Sequence, residues 1–212
     1  MKIERLGRKM TTHEKDRAHS GADHNSEWYK EELEDSAEFR RTYRNRLSVV
    51  KPKDMPFENS PDGLIKHLVH EKQDTTENCV EAYMQFIKPG SHTGKRRILA
   101  EQILFVAEGT GYDLHWDVEF EVDTEFHWSW KREPRKFEWE RGDFIFVPAY
   151  CIQQHFNTDP DNEARLIVIT NRIFKAMGLN WLEQIENAPD YEGDLEPMLA
   201  GPGWNPDTRE DV

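Results

Sequence analysis

From Leu64 to Arg172 the chain runs in short stretches of β-branched and aromatic residues, each closed by Gly, Pro or Asp. The stretches are Ile65–His70, Val80–Ile87, Gln102–Ala107, Tyr112–Val122, Phe126–Trp130, Phe137–Trp139, Phe144–Val147 and Ala164–Thr170. Between them stand Lys88-Pro89-Gly90, Glu108-Gly109-Thr110-Gly111, Arg141-Gly142-Asp143 and Asp159-Pro160-Asp161. Turns this frequent leave no room for the crossover helices of βαβ units. The pattern predicts an all-β sandwich or barrel over residues 64–172.

The flanks read differently. Residues 1–24 lack an apolar period and are expected to be a flexible segment. Residues 25–63 read as a helical arm and a loop. Ser26 is placed to cap a helix reaching about Arg46, with Trp28, Leu33, Phe39 and Tyr43 as a thin apolar stripe and Asp35-Ser36 as a potential break. Such an arm packs on its own domain or covers a partner subunit. The loop spans Pro52 to Gly63. Beyond the barrel, Phe174, Met177, Trp181, Leu182 and Ile185 recur at helical spacing, so a C-terminal helix is expected over 173–188. Residues 189–212 read as an acidic, extended tail.

Charge narrows the function classes. The chain has 212 residues with 28 Lys+Arg against 41 Asp+Glu, a net of −13. That argues against a broad basic nucleic-acid face. No run of 18 apolar residues occurs, which argues against a membrane-spanning helix. Met1–His13 carries charges without an apolar stretch, so no secretory leader is expected. Cys79 and Cys151 are too few for a disulfide framework. Together these predict a soluble, cytoplasmic protein.

Two segments carry a family pattern. Gly90 is followed after five residues by Arg96-Arg97-Ile98, then by Gln102, then by Gly109. Gly142 is followed after five residues by Pro148-Ala149-Tyr150, then by Gln153 and Asn157. In spacing this resembles the two motifs of the cupin superfamily, with Gly90, Gly109, Gly142, Pro148 and Asn157 in register. The resemblance covers about half of the chain. It implies a cupin-type double-stranded β-helix, a jelly-roll barrel, flanked here by the N-terminal arm and the C-terminal helix. It also makes a homodimer an expectation, as in many proteins of that family.

The family's metal ligands, two His, a Glu and a third His, fall on Arg96, Ile98, Gln102 and Gln153. Ile98 has no donor atom, Arg96 repels a cation, and neutral Gln is a poor ligand. The expectation is therefore a degenerate metal site and no cofactor. Arg96 would instead grip the carboxylate of a small organic acid or aromatic ligand, helped by Ile98, Gln102, Gln153 and His155. Some cupin-like enzymes work without metal through a His base and a Tyr acid. Here His155 and Tyr150 are the candidates, with no carboxylate identifiable as an orienter for His155. Two alternatives stand beside this one. Shifted ligands, namely His92, His115 and His155, would hold a divalent metal such as iron and support dioxygenase chemistry. Otherwise the chain is a non-catalytic subunit or accessory protein. Trp116, Trp128, Trp130 and Trp139 read as core or interface before they read as a substrate patch. Cys151 reads as a small buried residue.

Overall fold

The structure is a computed structural model that describes residues 26–76, 79–124 and 126–193. The expected flexible segment 1–24 and most of the acidic tail lie outside these, as do the side chains of Phe126 and Trp128. The chain divides into two units, Met1–Asn45 and Arg46–Val212. The first contains α1 (Trp28–Tyr43), which runs unbroken through Asp35-Ser36. Arg40 Nη1 donates to Ser36 Oγ at 2.7 Å, and Glu27 pairs with Lys30 one turn on, so the polar residues here brace the helix. Among the described residues no helix is long and apolar enough to cross a membrane.

The second unit is built from strands. They are β1 (Phe57–Ser60), β2 (Gly63–Val69), β3 (Val80–Ile87), β4 (Lys95–Ile98), β5 (Gln102–Glu108), β6 (Thr110–Trp116), β7 (Val118–Val122), β8 (Phe126–Trp130), β9 (Arg135–Glu140), β10 (Phe144–Val147), β11 (Ile152–Asn157), β12 (Ala164–Asn171) and β13 (Leu182–Glu186). One sheet has the order β1-β2-β3-β12-β5-β10, the other β13-β4-β11-β6-β9, and β7-β8 is a separate hairpin. Every pairing between these named strands is antiparallel. Strands β3 to β6 and β9 to β12 switch sheets at each step, β6 and β9 lie side by side in the same sheet, and the last, β12, returns between β3 and β5. This strand order is a jelly roll, the double-stranded β-helix expected from the sequence.

The interior is divided. Leu104, Val106, Trp139, Ile145, Val147, Leu166 and Val168 form an apolar cluster, all buried. Opposite them β3, β4, β5, β6 and β11 turn polar side chains inward, which is described below. Gly109 and Gly142 adopt φ of 98°, open only to glycine at low cost. Gly111 serves another purpose than the turn expected of it. Its φ is not positive; a Cβ there would collide with the Phe156 carbonyl and the Trp139 ring.

Four strands escape the sequence pattern: β1, β4, β11 and β13. Strand β1 lies within the stretch read as loop. Strands β4 and β11 read as polar because the interior they face is polar. The expected C-terminal helix is corrected to one helical turn, Ile173–Ala176, followed by β13. Gly178, at φ 81°, ends the turn, and its N–H bonds to the Lys175 carbonyl at 3.1 Å. Strand β13 then pairs with β4, placing Glu183 directly opposite Arg97. That pairing satisfies the free edge of β4, which a helix would leave bare.

Candidate functional site

Cross-strand register assembles the polar half of the barrel. Gln153 on β11 stands opposite Arg96 on β4 and opposite His115 on β6, while His155 stands opposite Asp113. Residues paired this way share a face, so Arg96, Gln153, His155, Asp113 and His115 converge. All five are buried.

Arg96 is the hub. Its Nε lies 2.8 Å from Asp62 Oδ2, an ion pair from the turn between β1 and β2. Its Nη2 donates to the Tyr83 hydroxyl and, at 3.2 Å, to Gln102 Oε1. Gln153 Nε2 donates to the same Gln102 oxygen, and Gln102 Nε2 donates to Thr170 Oγ1 at 2.6 Å. Gln85 Nε2 donates to Asp62, at 2.7 Å to the carbonyl and 3.2 Å to Oδ2. Burial pushes the Asp62 carboxyl above its ordinary range, although Arg96, His155 and Gln85 pull the other way. Burial works most strongly against the Arg96 charge, but Asp62 and Tyr83 together outweigh it and hold the guanidinium above its ordinary value. Burial also raises the Tyr83 phenol well above its ordinary range.

The second focus is Asp113. Its Oδ1 accepts from Trp139 Nε1 at 2.8 Å and lies 2.8 Å from His155 Nδ1, and its Oδ2 lies 3.4 Å from His115 Nε2. This is the carboxylate partner for His155 that linear spacing does not reveal. The signal for it is register: Asp113 follows Gly111 by two residues, as His155 precedes Asn157 by two, and Gly111 pairs with Asn157.

Three of the four family ligand positions thus meet in one hydrogen-bonded group, Arg96–Gln102–Gln153, with Ile98 on the same face by alternation. The set does not fit a divalent cation. Arg96 brings a positive charge, Ile98 no donor, and the Gln102 oxygen already accepts two N–H groups.

The other candidate groupings come apart. Tyr150 packs on Trp130 and Trp181 and stands beside Arg97, with the guanidinium 4.9 Å from its ring. Arg97 alternates with Arg96, so it belongs to the opposite face of the sheet, where it pairs with Glu183. Tyr150 is therefore parted from His155 by the sheet itself. His92 is likewise on the far face. Its ring lies 5.0 Å from that of Phe156, tilted against it, and receives a 3.1 Å contact from Gln154; both residues alternate with His155. His92, His115 and His155 do not share a metal position. The tryptophans also divide: Trp139 is core, Trp130 lies 4.0 Å over Arg97, and Trp116 lies 4.3 Å beneath Lys95. Sequence reasoning missed Asp62, Tyr83, Gln85, Asp113 and Thr170.

No family model matches the chain, and no curated protein matches it. Solved structures do. Vicilin from Corylus avellana (hazelnut) is similar at 18% identity over 57% of this chain and 32% of its own, with a TM-score of 0.43. Salicylate 1,2-dioxygenase from Pseudaminobacter salicylatoxidans gives 12% identity over 74% of this chain and 37% of its own, at 0.45. Oxalate decarboxylase from Bacillus subtilis gives 11% over 56% and 28%, at 0.43. The chain spans about a third of the length of the chains it matches. The jelly-roll assignment rests on the strand order.

Proposed function

We propose that the polar half of this barrel binds a small, hydroxyl-bearing organic molecule through hydrogen bonds, with no metal at Arg96, Ile98, Gln102 and Gln153. One observation carries the reading. Asp62 Oδ1, Gln85 Oε1, Gln153 Oε1 and His155 Nε2 are buried and have no hydrogen-bond partner. Orphaned buried polar atoms are costly, and four on one polar half of the barrel, three of them in the Arg96 group and one on His155 beside Asp113, point to a ligand that completes it. Three of the four are acceptors, so the ligand supplies donors. That narrows the organic anion expected from Arg96 alone. The guanidinium is already balanced by Asp62 and bonded to Tyr83 and Gln102. A bare carboxylate would displace Asp62, whereas hydroxyl groups would not.

The test is calorimetry of the full chain against a panel of small polyols, sugars and hydroxy acids. One-to-one binding that Gln85→Met and Gln153→Met each weaken at least tenfold is the expected result. No binding across the panel, or affinity unchanged in both variants, makes the network simply the filling of the barrel.

A second reading rests on the Asp113–His155 pair. A carboxylate 2.8 Å from one ring nitrogen orients the imidazole, leaving Nε2 to take a proton from a bound ligand. Its test is turnover of the ligand that calorimetry identifies. His155→Gln should abolish turnover and retain binding within tenfold; turnover preserved in that variant removes His155 as the base.

A further inference from the structure

His67 sits near the end of β2, His70 opens the helical turn after it, and Glu81 is the second residue of β3. A register shift between His67 and Val69 bends the chain there and brings His70 back toward β3. One ligand atom from each of the three lies within 4.8 Å of the others, and all are half-buried. The two imidazole rings stand 5.0 Å apart, edge to face.

The hydrogen bonding of His67 is that of a ligand in waiting. Its Nε2 lies 2.7 Å from Glu58 Oε2, so the N–H is on that side. The lone pair is then on Nδ1, which is buried and has no partner. A carboxylate gripping one ring nitrogen while the other faces a cation is the usual setting of a metal-bound histidine. His70 Nε2 lies 3.5 Å from Glu81 Oε1, while its Nδ1 accepts from the Lys72 N–H at 3.1 Å. A groove of about 550 Å³ runs alongside, lined by Leu47, Val50, Pro56, Phe57, His67 and His70 among others.

We propose that His67, His70 and Glu81 bind a divalent transition-metal ion, with Glu58 holding the His67 ring. Two imidazoles and a carboxylate select zinc, iron, cobalt or nickel over calcium and magnesium. Donors bound at about 2.1 Å in tetrahedral geometry lie about 3.4 Å apart, so the side chains close by about an ångström. His70 moves its proton from Nε2 to Nδ1 and gives up the Lys72 amide. The groove leaves the remaining coordination positions open to water or a small ligand, as in metal sites that react rather than merely brace. This site is separate from the barrel positions Arg96, Ile98, Gln102 and Gln153, and it stands or falls independently of the barrel-ligand reading.

The experiment uses the untagged full chain, treated with chelator and titrated with cobalt(II) in the visible region, then with zinc(II) by calorimetry. One ion per chain with Kd in the micromolar range or tighter is expected. His67→Ala and His70→Ala should each weaken binding at least tenfold. Glu58→Gln should weaken it about 10- to 100-fold. Glu81→Gln, the mildest change, should weaken it at least tenfold with the far-ultraviolet circular dichroism unchanged. It decides the matter if a histidine variant fails to fold. Sub-stoichiometric binding in the parent chain overturns the proposal. So does affinity unaltered in both Glu81→Gln and the His67→Ala/His70→Ala double variant, because the ion then sits at other histidines. Loss of binding in His155→Gln alone overturns it too and moves the ion into the barrel.

Discussion

His155 Nδ1 lies 2.8 Å from Asp113 Oδ1, with the two side chains 1% and 0% exposed. Burial raises the Asp113 pKa, but the electrostatic pull of His155 and the hydrogen bonds from His115 and His155 outweigh it, leaving the carboxyl at about 2 against an ordinary 3.8. A carboxyl more acidic in the folded than in the unfolded chain stabilises fully above the unfolded value, and the contribution is lost as pH falls through about 2. The difference corresponds to about 2 kcal/mol. Asp113→Asn removes the charge and aims one amide N–H where every neighbour is a donor. Urea midpoints measured from pH 7 down to pH 2.5 should show the full gap between parent and variant down to about pH 4, narrowing below it. A gap constant with pH means that Asp113 does not carry this charge.

Arg96→Met is expected to cost about 3–5 kcal/mol, because it leaves the buried Asp62 carboxylate without its counter-charge. The sign of the pH effect distinguishes this from lost packing. Asp62 is already raised by burial, and without Arg96 it is raised further. A group whose folded pKa lies above the unfolded one stabilises at low pH and loses that contribution as pH rises through the folded value. The variant should thus be more stable, relative to the parent, at pH 5 than at pH 8. Adding Asp62→Asn should recover part of the loss at pH 8. A double-mutant cycle with no coupling between the two changes would dissolve the pair.

How far the sequence announces this molecule depends on which way a strand faces. Val80–Ile87, Phe126–Trp130 and Phe144–Val147 are bounded in the structure as their apolar content predicts. Lys95-Arg96-Arg97 and Gln153-Gln154-His155 give no such signal, since the barrel half they face is polar. Arg96, Gln102 and Gln153, the residues the motif spacing singles out, are nonetheless joined by hydrogen bonds. The partners that decide their chemistry come from other strands. Asp62 sits in a Pro-Asp-Gly turn that reads as loop, and Asp113 meets His155 only through the β6–β11 register. Non-local pairing of this kind leaves no trace in local periodicity. Leu182 and Ile185 mislead for the opposite reason: their helical spacing is real, but the free edge of β4 claims their segment as strand.

Cys151 and Cys79 should separate by reactivity. Burial, aided by Asp117, pushes the Cys151 thiol up to about 12, while Cys79 is exposed. Only the thiolate attacks, so at pH 8 Cys151 offers about one part in 10,000 of it, besides being covered. An aromatic disulfide reagent should label one thiol per native chain, mapping to Cys79, and two in urea. Rapid native labelling of Cys151 would mean that the β10–β11 corner opens readily.

Two glycines put the barrel closure itself to a test. Gly90 has φ 63°, and a Cβ built there meets nothing within 4 Å. Gly90→Ala therefore carries only the conformational cost of the left-handed region, about 1–2 kcal/mol. Gly111 has an ordinary backbone but lies where β6 and β11 pinch over Trp139, and a Cβ there runs into the Phe156 carbonyl. Neither a backbone oxygen within a ladder nor an indole packed in the core and bonded to Asp113 can step aside cheaply. Gly111→Ala should thus cost about 3 kcal/mol or more, beyond the usual range of overpacking. It should also shift the tryptophan emission, because Trp139 must move, whereas Gly90→Ala should leave the spectrum unaltered. If the two variants prove equally stable, β6 and β11 do not pair in the register that brings Asp113 to His155, and the polar half of the barrel has to be rebuilt around a different alignment.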